Sequence, residues 1–523
     1  MSLARALQQR SALFALCRSA SSAAGGPSTQ PAHGFASLPD PIGDESPPQN
    51  SKDGKVLHPD LLNENMVRAE YAVRGELYLT GEELRKKGRE IIFTNVGNPH
   101  VLGQKPLSFN RQVLSLVAAP ALLEHPEVGT LFASDAIARA KQLLTYFPGG
   151  LGAYSDSRGA EGVRKEIAEF ITQRDGYPSD PNNIFLADGA SPAVRYILQA
   201  IIRNDKDGIL VPVPQYPLYS ASIQLYGGQL VGYNLKEETG WSMDIADVKK
   251  RVADARAKGI AVRALVFINP GNPTGQCLSY QNLEDIIKFA VEENIVLMAD
   301  EVYQSNIFQD ERPFVSCRKV MMDMGAPYNQ HELVSFHTIS KGALGECGLR
   351  GGMLEATNIH PDTLDQLYKI ASINLSPNTF GQAGLALMVN PPKEGDPSYE
   401  QHESEASGII ASMRRRAHIM TDGFNACEGI TCNYTEGAMY SFPRLNLPPK
   451  ALQAAKEAGK APDTWYCLKL LNATGILTVP GTGFGQEEGT FHLRTTILPQ
   501  EDKIKEVMGS FQKFHADFMD EYR

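Results

Sequence analysis

The chain has 523 residues, and its 50 Lys and Arg against 60 Asp and Glu give a net charge of −10. Because proteins that bind nucleic acids usually carry a basic patch, this acidic balance argues against that class. No run of about 18 apolar residues occurs, which excludes a transmembrane helix. The length predicts three to four domains, and the absence of such an apolar run predicts a soluble protein.

The first 39 residues have the composition of an organelle transit peptide. They contain no Asp or Glu, and they carry Arg5, Arg10, Arg18 and a run rich in Ser and Ala. Arg10 interrupts the apolar stretch that a secretory signal would need, and a disordered tail is the alternative. The early arginines favour the mitochondrial matrix, with a plastid still possible. Residues 40–55 are polar and predict a disordered linker.

The seven cysteines are scattered and indicate no metal site. No Cys-x-x-Cys pair occurs, and no histidines stand at zinc-finger spacing. Cys427 and Cys432 could in principle form a disulfide bond. Buried free thiols in a reducing compartment are the favoured interpretation.

From about residue 183, short apolar runs alternate with longer amphipathic segments. The runs are rich in Val, Ile, Leu and Phe without polar alternation, which is typical of strands buried on both faces. Strands separated by helices form an open, mostly parallel α/β sheet, and ligands bind such sheets beyond the carboxyl ends of the strands. The predicted strands are 183–189, 208–214, 261–270, 294–301 and 332–340, and the predicted helices between them include 191–203 and 279–294.

The sequence changes in character after about residue 378. A charged helix at 403–426 is followed by short strands, which predicts a smaller α+β domain over residues 379–523. Residues 146–378 then form the large domain. Residues 56–145 are mostly helical, and we expect them to pack with the smaller domain.

The ends of the first three predicted strands carry groups that could hold a ligand. Ala190 and Ser191 begin a helix, so their backbone N–H groups are free to bind an anion. Tyr216 follows the second strand and could lie flat on a ring. The turn NPGNPTG at 269–275 is rigid and can project the Asn272 amide into a cleft.

The last two predicted strand ends add an acid, a phenol and an amine. The run MADEVY ends with Asp300 and Tyr303, and a buried acid needs a positive partner. The run HTISKGALGECGLRGG places Lys341, a possible nucleophilic amine, among hydroxyls, glycines and an arginine that could hold a phosphate. Each group alone has an ordinary structural explanation, but together they match what pyridoxal phosphate requires.

Three motifs resemble the fold-type I aminotransferases of the aspartate aminotransferase superfamily. These are NPGNPTG, the Asp-x-x-Tyr of MADEVY, and the Ser-Lys-Gly run with its trailing arginine. The resemblance covers about residues 90–500. The run SKGALGECGLRGG, with NVGNPH near 95–100 and AYSDSRG near 153–159, is similar to the alanine aminotransferase branch. The spacing from Lys341 to Arg350 is nine residues, whereas many relatives have eight.

The resemblance implies a role for each matched residue. Lys341 would hold pyridoxal phosphate as an internal aldimine and then move the proton between the substrate α-carbon and C4′ of the cofactor. Asp300 would pair with the pyridine nitrogen. Asn272 and Tyr303 would bind the 3′-oxygen, and Tyr216 would stack on the ring.

Other residues would bind the phosphate and the substrate. Tyr154 would reach the phosphate from the other subunit, which implies a homodimer with shared active sites. Arg494 would bind the substrate α-carboxylate, and Gly97 and Asn272 would line the substrate side. The residues expected at the phosphate are Ala190, Ser191, Thr338, Ser340 and Arg350.

The resemblance implies transfer of the amino group of L-alanine to 2-oxoglutarate by a ping-pong mechanism, giving pyruvate and L-glutamate. A glutamate–glyoxylate aminotransferase is the alternative. It would be expected in peroxisomes, and the N-terminus and the absence of a peroxisomal ending disfavour it. The Gly-Glu-Cys-Gly run argues against a lyase of the same fold. Residues 1–60 lack the basic DNA-binding domain of a non-catalytic regulator. We expect neither nucleic-acid nor membrane partners.

Overall fold

A computed structural model describes residues 54–71 and 75–523. The predicted transit peptide and nearly all of the predicted linker lie outside the described residues. Of the described residues, those from 54 to Leu62 belong to one unit, which contains a short 3-10 turn at Pro59–Leu61. Residues 63–523 form the other unit. No helix in the described part of the chain is both long and apolar enough to cross a membrane.

Fifteen strands can be assigned in the described residues, and they are numbered in chain order. They are β1 (Ile92–Phe93), β2 (Ile184–Ala187), β3 (Asp207–Val213), β4 (Gln229–Lys236), β5 (Ser242–Met243), β6 (Ala261–Ile268), β7 (Val296–Asp300), β8 (Leu333–Thr338), β9 (Gly352–Thr357), β10 (Ile430–Thr431), β11 (Tyr440–Ser441), β12 (Arg444–Leu445), β13 (Ile476–Leu477), β14 (Val479–Pro480) and β15 (Leu493–Thr496).

The α-helices surround these strands and account for most of the rest of the described chain. They are Glu64–Arg68, Glu76–Lys86, Ser108–Ala118, Val128–Leu131, Ser134–Tyr146, Glu161–Asp175, Ala190–Ile201, Leu218–Leu225, Ile245–Ala257, Tyr280–Glu293, Cys317–Asp323, Pro361–Ile373, Thr379–Val389, Tyr399–Asn425, Pro449–Glu457, Pro462–Thr474 and Glu501–Tyr522.

Eight strands form one central sheet in the order β2-β9-β8-β7-β6-β3-β4-β5. Strands β4, β3, β6, β7 and β8 are parallel to one another, whereas β9 is antiparallel to β8 and β2, and β5 is antiparallel to β4. The predicted α/β fold with a mostly parallel sheet is therefore confirmed. Strands β4, β5 and β9 were not predicted from the sequence.

The predicted strands correspond to β2, β3, β6, β7 and β8, each within a few residues of the predicted bounds. The helix Tyr280–Glu293 begins where the side chains of Ser279 and Asn282 cap each other's backbone N–H groups. It ends at Asn294, which adopts a left-handed conformation. Local sequence signals therefore fix both ends of this helix.

Helices cover both faces of the sheet. On one face, residues of the helices Ala190–Ile201, Leu218–Leu225 and Pro361–Ile373 pack against the strands. On the other face, the helices Ile245–Ala257 and Tyr280–Glu293 pack over the centre of the sheet. Burial on both faces explains why these strands are almost continuously apolar.

The packing near the chain ends differs in part from the predicted domain bounds. Residues between Leu77 and Phe93 pack against the C-terminal region. The helices Ser108–Ala118 and Ser134–Tyr146 instead share a core with β2 and with the helix Thr379–Val389. That helix is buried nearly all round, so it belongs with the sheet layers although it lies beyond residue 378. Apolar composition does not reveal which core a segment joins.

The C-terminal region is α+β, as predicted. The long helices Tyr399–Asn425 and Glu501–Tyr522 pack together over a core that also contains the helix Pro462–Thr474. A three-stranded sheet of β11, β15 and β14 lies beside this core. Strand β15 carries Arg494, and β11 begins at Tyr440.

The six cysteines in the described residues are free thiols. Cys427 and Cys432 form no disulfide bond, in agreement with the favoured interpretation. Burial raises the pKa of the Cys432 thiol to about 12, so it remains protonated.

Candidate active site

A cavity of about 440 Å³ lies beyond the carboxyl ends of β6, β7 and β8. The structure brings twelve of the thirteen predicted site residues to its walls. Tyr154 is the exception, because it lies elsewhere and its side chain is 79% exposed. The twelve are Gly97, Ala190, Ser191, Tyr216, Asn272, Asp300, Tyr303, Thr338, Ser340, Lys341, Arg350 and Arg494.

Asp300 is the last residue of β7 and forms the buried floor of the cavity. The Tyr219 hydroxyl donates a hydrogen bond of 2.7 Å to its carboxylate. Burial raises the pKa of Asp300 to about 6, although the Tyr219 hydrogen bond and the charge of Lys341 act in the opposite direction. Since burial penalises its charged form, this carboxyl would be stabilised by a cationic ligand group.

Lys341 follows β8 and directs its amine into the cavity. Its Nζ lies 5.2 Å from the centre of the Tyr303 ring. The turn after it is held by Gly342, whose N–H donates to Asn306 Oδ1 at 2.8 Å. A Cβ at Gly97 would lie 3.2 Å from this Nζ and 2.5 Å from the Tyr440 hydroxyl. Glycine at position 97 therefore keeps the space beside the amine free.

The start of the helix Ala190–Ile201 forms an anion-binding corner of the cavity. No side chain caps this helix, so the N–H groups of its first turn face the cavity with the positive end of the helix dipole. Arg350 lies alongside, and its Nη2 donates to Asp188 O at 2.7 Å. A Cβ at Gly189 would lie only 2.4 Å from that Nη2. Glycine thus permits the guanidinium to approach the helix start.

Hydroxyl groups of β8 and its following turn complete this corner. The Thr338 hydroxyl donates to Gly351 O at 2.7 Å and lies 3.2 Å from the Ser340 hydroxyl. Both residues are buried. The corner therefore offers backbone N–H groups, hydroxyls and one guanidinium, which is a set of groups suited to a phosphate.

Arg494 lies on the opposite side and is 1% exposed. Its Nη1 donates to Asn272 Oδ1 at 3.1 Å, and its Nη2 donates to Asn95 O. Its Nε has no hydrogen-bond partner, and none of the described carboxylates pairs with it. A buried guanidinium without an ion pair is a ready site for a ligand carboxylate.

Aromatic rings enclose the guanidinium of Arg494 and the mouth of the cavity. The Arg494 guanidinium carbon lies 4.3 Å from the centre of the Tyr440 ring and 4.6 Å from that of Phe484. At the mouth, the hydroxyls of Tyr71 and Tyr216 lie 2.8 Å apart with their rings edge to face. Burial raises the pKa of Tyr216, and the neighbouring Tyr71 adds to this effect.

Sequence reasoning missed Tyr71, Tyr219, Cys347 and Tyr440. Burial alone would raise the pKa of the Tyr440 phenol, but the charges of Lys341 and Arg494 bring it below its usual value. Tyr219 could have been found, since it follows Tyr216 by three residues at the start of a helix. Tyr71 and Tyr440 come from distant segments, and nothing in their local sequence indicates that they reach this cavity.

The comparisons with known proteins agree with this geometry. Residues 129–511 match the family described as aminotransferase class I and II. The chain is 63% identical over 469 residues to glutamate–glyoxylate aminotransferase 1 of Arabidopsis thaliana. The aligned region covers 90% of this chain and 98% of that protein. It is 50% identical over 474 residues to the mitochondrial alanine aminotransferase 2 of the same plant, at 89% and 88% coverage.

The fold has a solved counterpart as well. The structure of an alanine aminotransferase from Pyrococcus furiosus superimposes with a TM-score of 0.70 at 24% identity, covering 87% of this chain and 100% of that one. At this identity the likeness concerns the fold alone. The family match spans well over half of the chain, and the relatives cover nearly all of it. The chain belongs to the class I and II aminotransferases, a family that uses pyridoxal phosphate.

Proposed function

We propose that the cavity binds pyridoxal phosphate and that the protein transfers the amino group of L-alanine to 2-oxoglutarate. The observation that carries this proposal is the placement of Lys341, Asp300 and the helix start at Ala190 around one cavity. An amine, a buried carboxyl without a cationic partner and an anion-binding corner fit the aldehyde, the pyridine nitrogen and the phosphate of the cofactor.

Each residue has a defined task in this proposal. Asp300 would accept a hydrogen bond from the pyridine nitrogen and keep it protonated, which would neutralise the buried charge. Tyr216 would pack against the ring, and the amide of Asn272 and the hydroxyl of Tyr303 would bind its 3′-oxygen. The phosphate would be bound by the N–H groups of Ala190 and Ser191, the hydroxyls of Thr338 and Ser340, and the Arg350 guanidinium. When bound, the cofactor withdraws electrons from the substrate α-carbon.

Lys341 would hold the cofactor through its amine, and the same amine would move a proton at the substrate α-carbon. Arg494 binds the α-carboxylate through its fork of N–H groups and so orients the Cα–H bond toward that amine. Amino donor and 2-oxo acceptor present the same carboxylate to Arg494. They therefore bind in turn, as a ping-pong mechanism requires.

Transfer from L-glutamate to glyoxylate is the second candidate function. The 63% identity to a protein of that name favours it. Both reactions use glutamate or its 2-oxo acid, and they differ in whether the small partner is pyruvate or glyoxylate. Purified protein should be assayed with alanine, glutamate and glycine as donors against 2-oxoglutarate, pyruvate and glyoxylate. A higher kcat/KM for glutamate with glyoxylate than for alanine with 2-oxoglutarate would decide for the second candidate.

We also propose a homodimer in which Tyr154 contributes to the neighbouring site. Tyr154 is 79% exposed, so its ring is available for contact with another subunit. Ile373 and Leu375 are also exposed. The backbone carbonyl of Leu375 accepts a hydrogen bond from the hydroxyl of Ser157, which is close to Tyr154 in the sequence. Light scattering of the purified protein measures its oligomeric state. Cofactor retention by a Tyr154→Phe variant, compared with the unaltered protein, measures the contribution of the phenol to the neighbouring site.

Removal of residues 1–39 should leave transaminase activity unchanged and abolish import into mitochondria. The acid-free, Arg-containing composition supports a presequence, and a relative that is 50% identical is named as mitochondrial. Import of full-length and shortened fluorescent fusions into isolated mitochondria measures the effect. Uptake of the shortened fusion would show that the targeting information lies elsewhere.

Arg494→Lys should raise KM and lower kcat together for both alanine and glutamate. Lysine keeps the charge but replaces two parallel hydrogen bonds with a point donor, so the carboxylate loses its fixed orientation. Arg494→Ala should be worse by roughly 2–5 kcal/mol, because the carboxylate loses its partner altogether. Steady-state kinetics of both half-reactions measures this. Loss of activity with glutamate but not with alanine would show that Arg494 binds the distal carboxylate instead.

A further inference from the structure

A buried histidine, His492, lies two residues before Arg494 and immediately before β15. Its side chain is 2% exposed. Its ring stacks on Phe442 with 4.7 Å between ring centres and an angle of 2°, and Trp241 packs edge-on against it at 5.6 Å. His492 does not line the cavity, so the proposed reaction gives it no direct task.

Both ring nitrogens of His492 face hydrogen-bond acceptors. Nε2 lies 3.2 Å from a carboxylate oxygen of Glu237, and Nδ1 lies 3.0 Å from Gln486 Oε1. The orientation of the Gln486 amide is fixed, because its Nε2 donates to the buried Asp463 carboxylate at 2.8 Å. Hydrogen bonds at both nitrogens therefore hold the ring in place. Glu237 also pairs with Arg444 at 3.3 Å.

This network anchors the segment 481–492, which connects β14 to β15. The N–H of Gly481 donates to His492 O at 2.8 Å, and a Cβ at Gly481 would lie only 2.4 Å from Gln486 Oε1. Asp463 accepts further hydrogen bonds from Thr482, including one of 2.7 Å from its N–H. Both ends of the segment are thus held by buried, charge-assisted hydrogen bonds.

The same segment carries Phe484, which contacts the substrate-binding arginine. The Phe484 ring lies 4.6 Å from the Arg494 guanidinium and packs edge-on against Phe442, on which His492 is stacked. A chain of ring contacts therefore leads from His492 through Phe442 and Phe484 to Arg494. Trp241, which closes the cluster, has a φ of 63°, a strained value for a large side chain. Strain of this kind persists where the surrounding structure enforces it.

We propose that His492 is a positioning residue for the substrate: it holds the segment 481–492 so that Phe484 supports the Arg494 guanidinium in the orientation that receives the α-carboxylate. This inference rests on the proposed function, in which Arg494 binds that carboxylate. Without the His492 anchor, Phe484 moves away from the guanidinium. The arginine is then free to adopt orientations that do not bind the substrate.

His492→Phe tests the proposal, because phenylalanine keeps the stacking on Phe442 and removes both ring nitrogens. The matched control is His515→Phe. His515 is 3% exposed, is stacked on Phe511 at 6°, and also uses both nitrogens, with Tyr466 at 2.9 Å and Glu428 O at 2.7 Å. It lies in the core between the C-terminal helices and does not contact Arg494.

Both variants should unfold at a lower temperature, but only His492→Phe should raise KM. We expect a rise of roughly tenfold for both alanine and glutamate, with a smaller change in kcat, because a misplaced binding group weakens capture of every substrate that shares it. Glu237→Gln keeps an acceptor for Nε2 and removes the charge. Glu237→Gln should destabilise the fold less than His492→Phe does, and it should also raise KM, by a smaller factor.

The outcome separates this inference from the proposed function when Arg494→Lys is measured beside these variants. If Arg494→Lys raises KM while His492→Phe and Glu237→Gln both behave like His515→Phe, the positioning role is wrong and the proposed function stands. If Arg494→Lys leaves KM unchanged, the assignment of Arg494 to the carboxylate is wrong. A rise in KM with His492→Phe and Glu237→Gln, but not with His515→Phe, supports the inference.

Discussion

Lys341→Ala should lower turnover of alanine by at least 10²–10⁴-fold, the range typical of general acid–base catalysis, while cofactor still binds non-covalently. The variant keeps the anion-binding corner and Asp300, so the contacts proposed for the phosphate and the ring remain. What it loses is the amine that lies in the cavity beside Tyr303. A single-turnover reaction of cofactor-loaded protein with alanine, followed by absorbance, measures this loss.

Two controls make the result for Lys341 specific. Lys249→Ala removes a lysine that pairs with Glu292 at the surface, and it should leave the rate unchanged. Added methylamine should restore part of the activity of Lys341→Ala, since a small amine can occupy the vacated space and carry the proton. Turnover by Lys341→Ala near the rate of the unaltered protein would disprove the role of this lysine.

Asp300→Asn should weaken cofactor retention and lower the rate, because a neutral amide cannot keep the pyridine nitrogen protonated. The neighbouring Glu301 offers a matched control. It is equally buried, and burial raises its pKa to about 7, but its carboxylate accepts from the Cys317 N–H on the other side of the strand. Glu301→Gln should retain cofactor and activity. An unchanged rate in Asp300→Asn would contradict the electrostatic role.

The same substitution should have the opposite effect on the cofactor-free protein. The folded-state pKa of Asp300, about 6, lies above its usual value of 3.8. The contribution of protonated Asp300 to the free energy of unfolding is therefore fully present below pH 3.8 and is lost as the pH rises through about 6. At pH 8 the buried charge costs on the order of 3 kcal/mol, so Asp300→Asn should unfold at higher denaturant concentration. Urea titration with and without cofactor measures both effects.

Much of the large sheet could be predicted from the sequence because its strands are buried on both faces. The apolar runs that became β3, β6 and β7 admit few other structures, and parallel order brings their carboxyl ends together. Strand β9 was missed because Glu355 interrupts its apolar run. That glutamate is buried beside Arg318 at 3.2 Å, a pairing that no local pattern reveals.

The candidate site could be predicted where one short motif carries the residue. Asn272 and Lys341 each follow a recognisable strand, and Asp300 ends one. Tyr440 and Tyr71 could not be predicted, because their positions depend on how the C-terminal region and the segment after Asn63 pack against the sheet. For the same reason, the sequence does not show which of the two cores the helices Ser108–Ala118 and Ser134–Tyr146 join.

Arg350 adopts a left-handed backbone conformation, with φ 55°, to bring its guanidinium beside the helix start. A residue with a Cβ is less stable in this conformation than glycine by about 1–2 kcal/mol. Arg350, like the buried Asp300, therefore makes the cofactor-free protein less stable, and both residues line the cavity proposed to bind the cofactor. Directed evolution for heat resistance of the empty protein would therefore favour loss of both side chains. A selection that demands thermostability alone would erode catalysis, whereas one performed with cofactor in excess would preserve it.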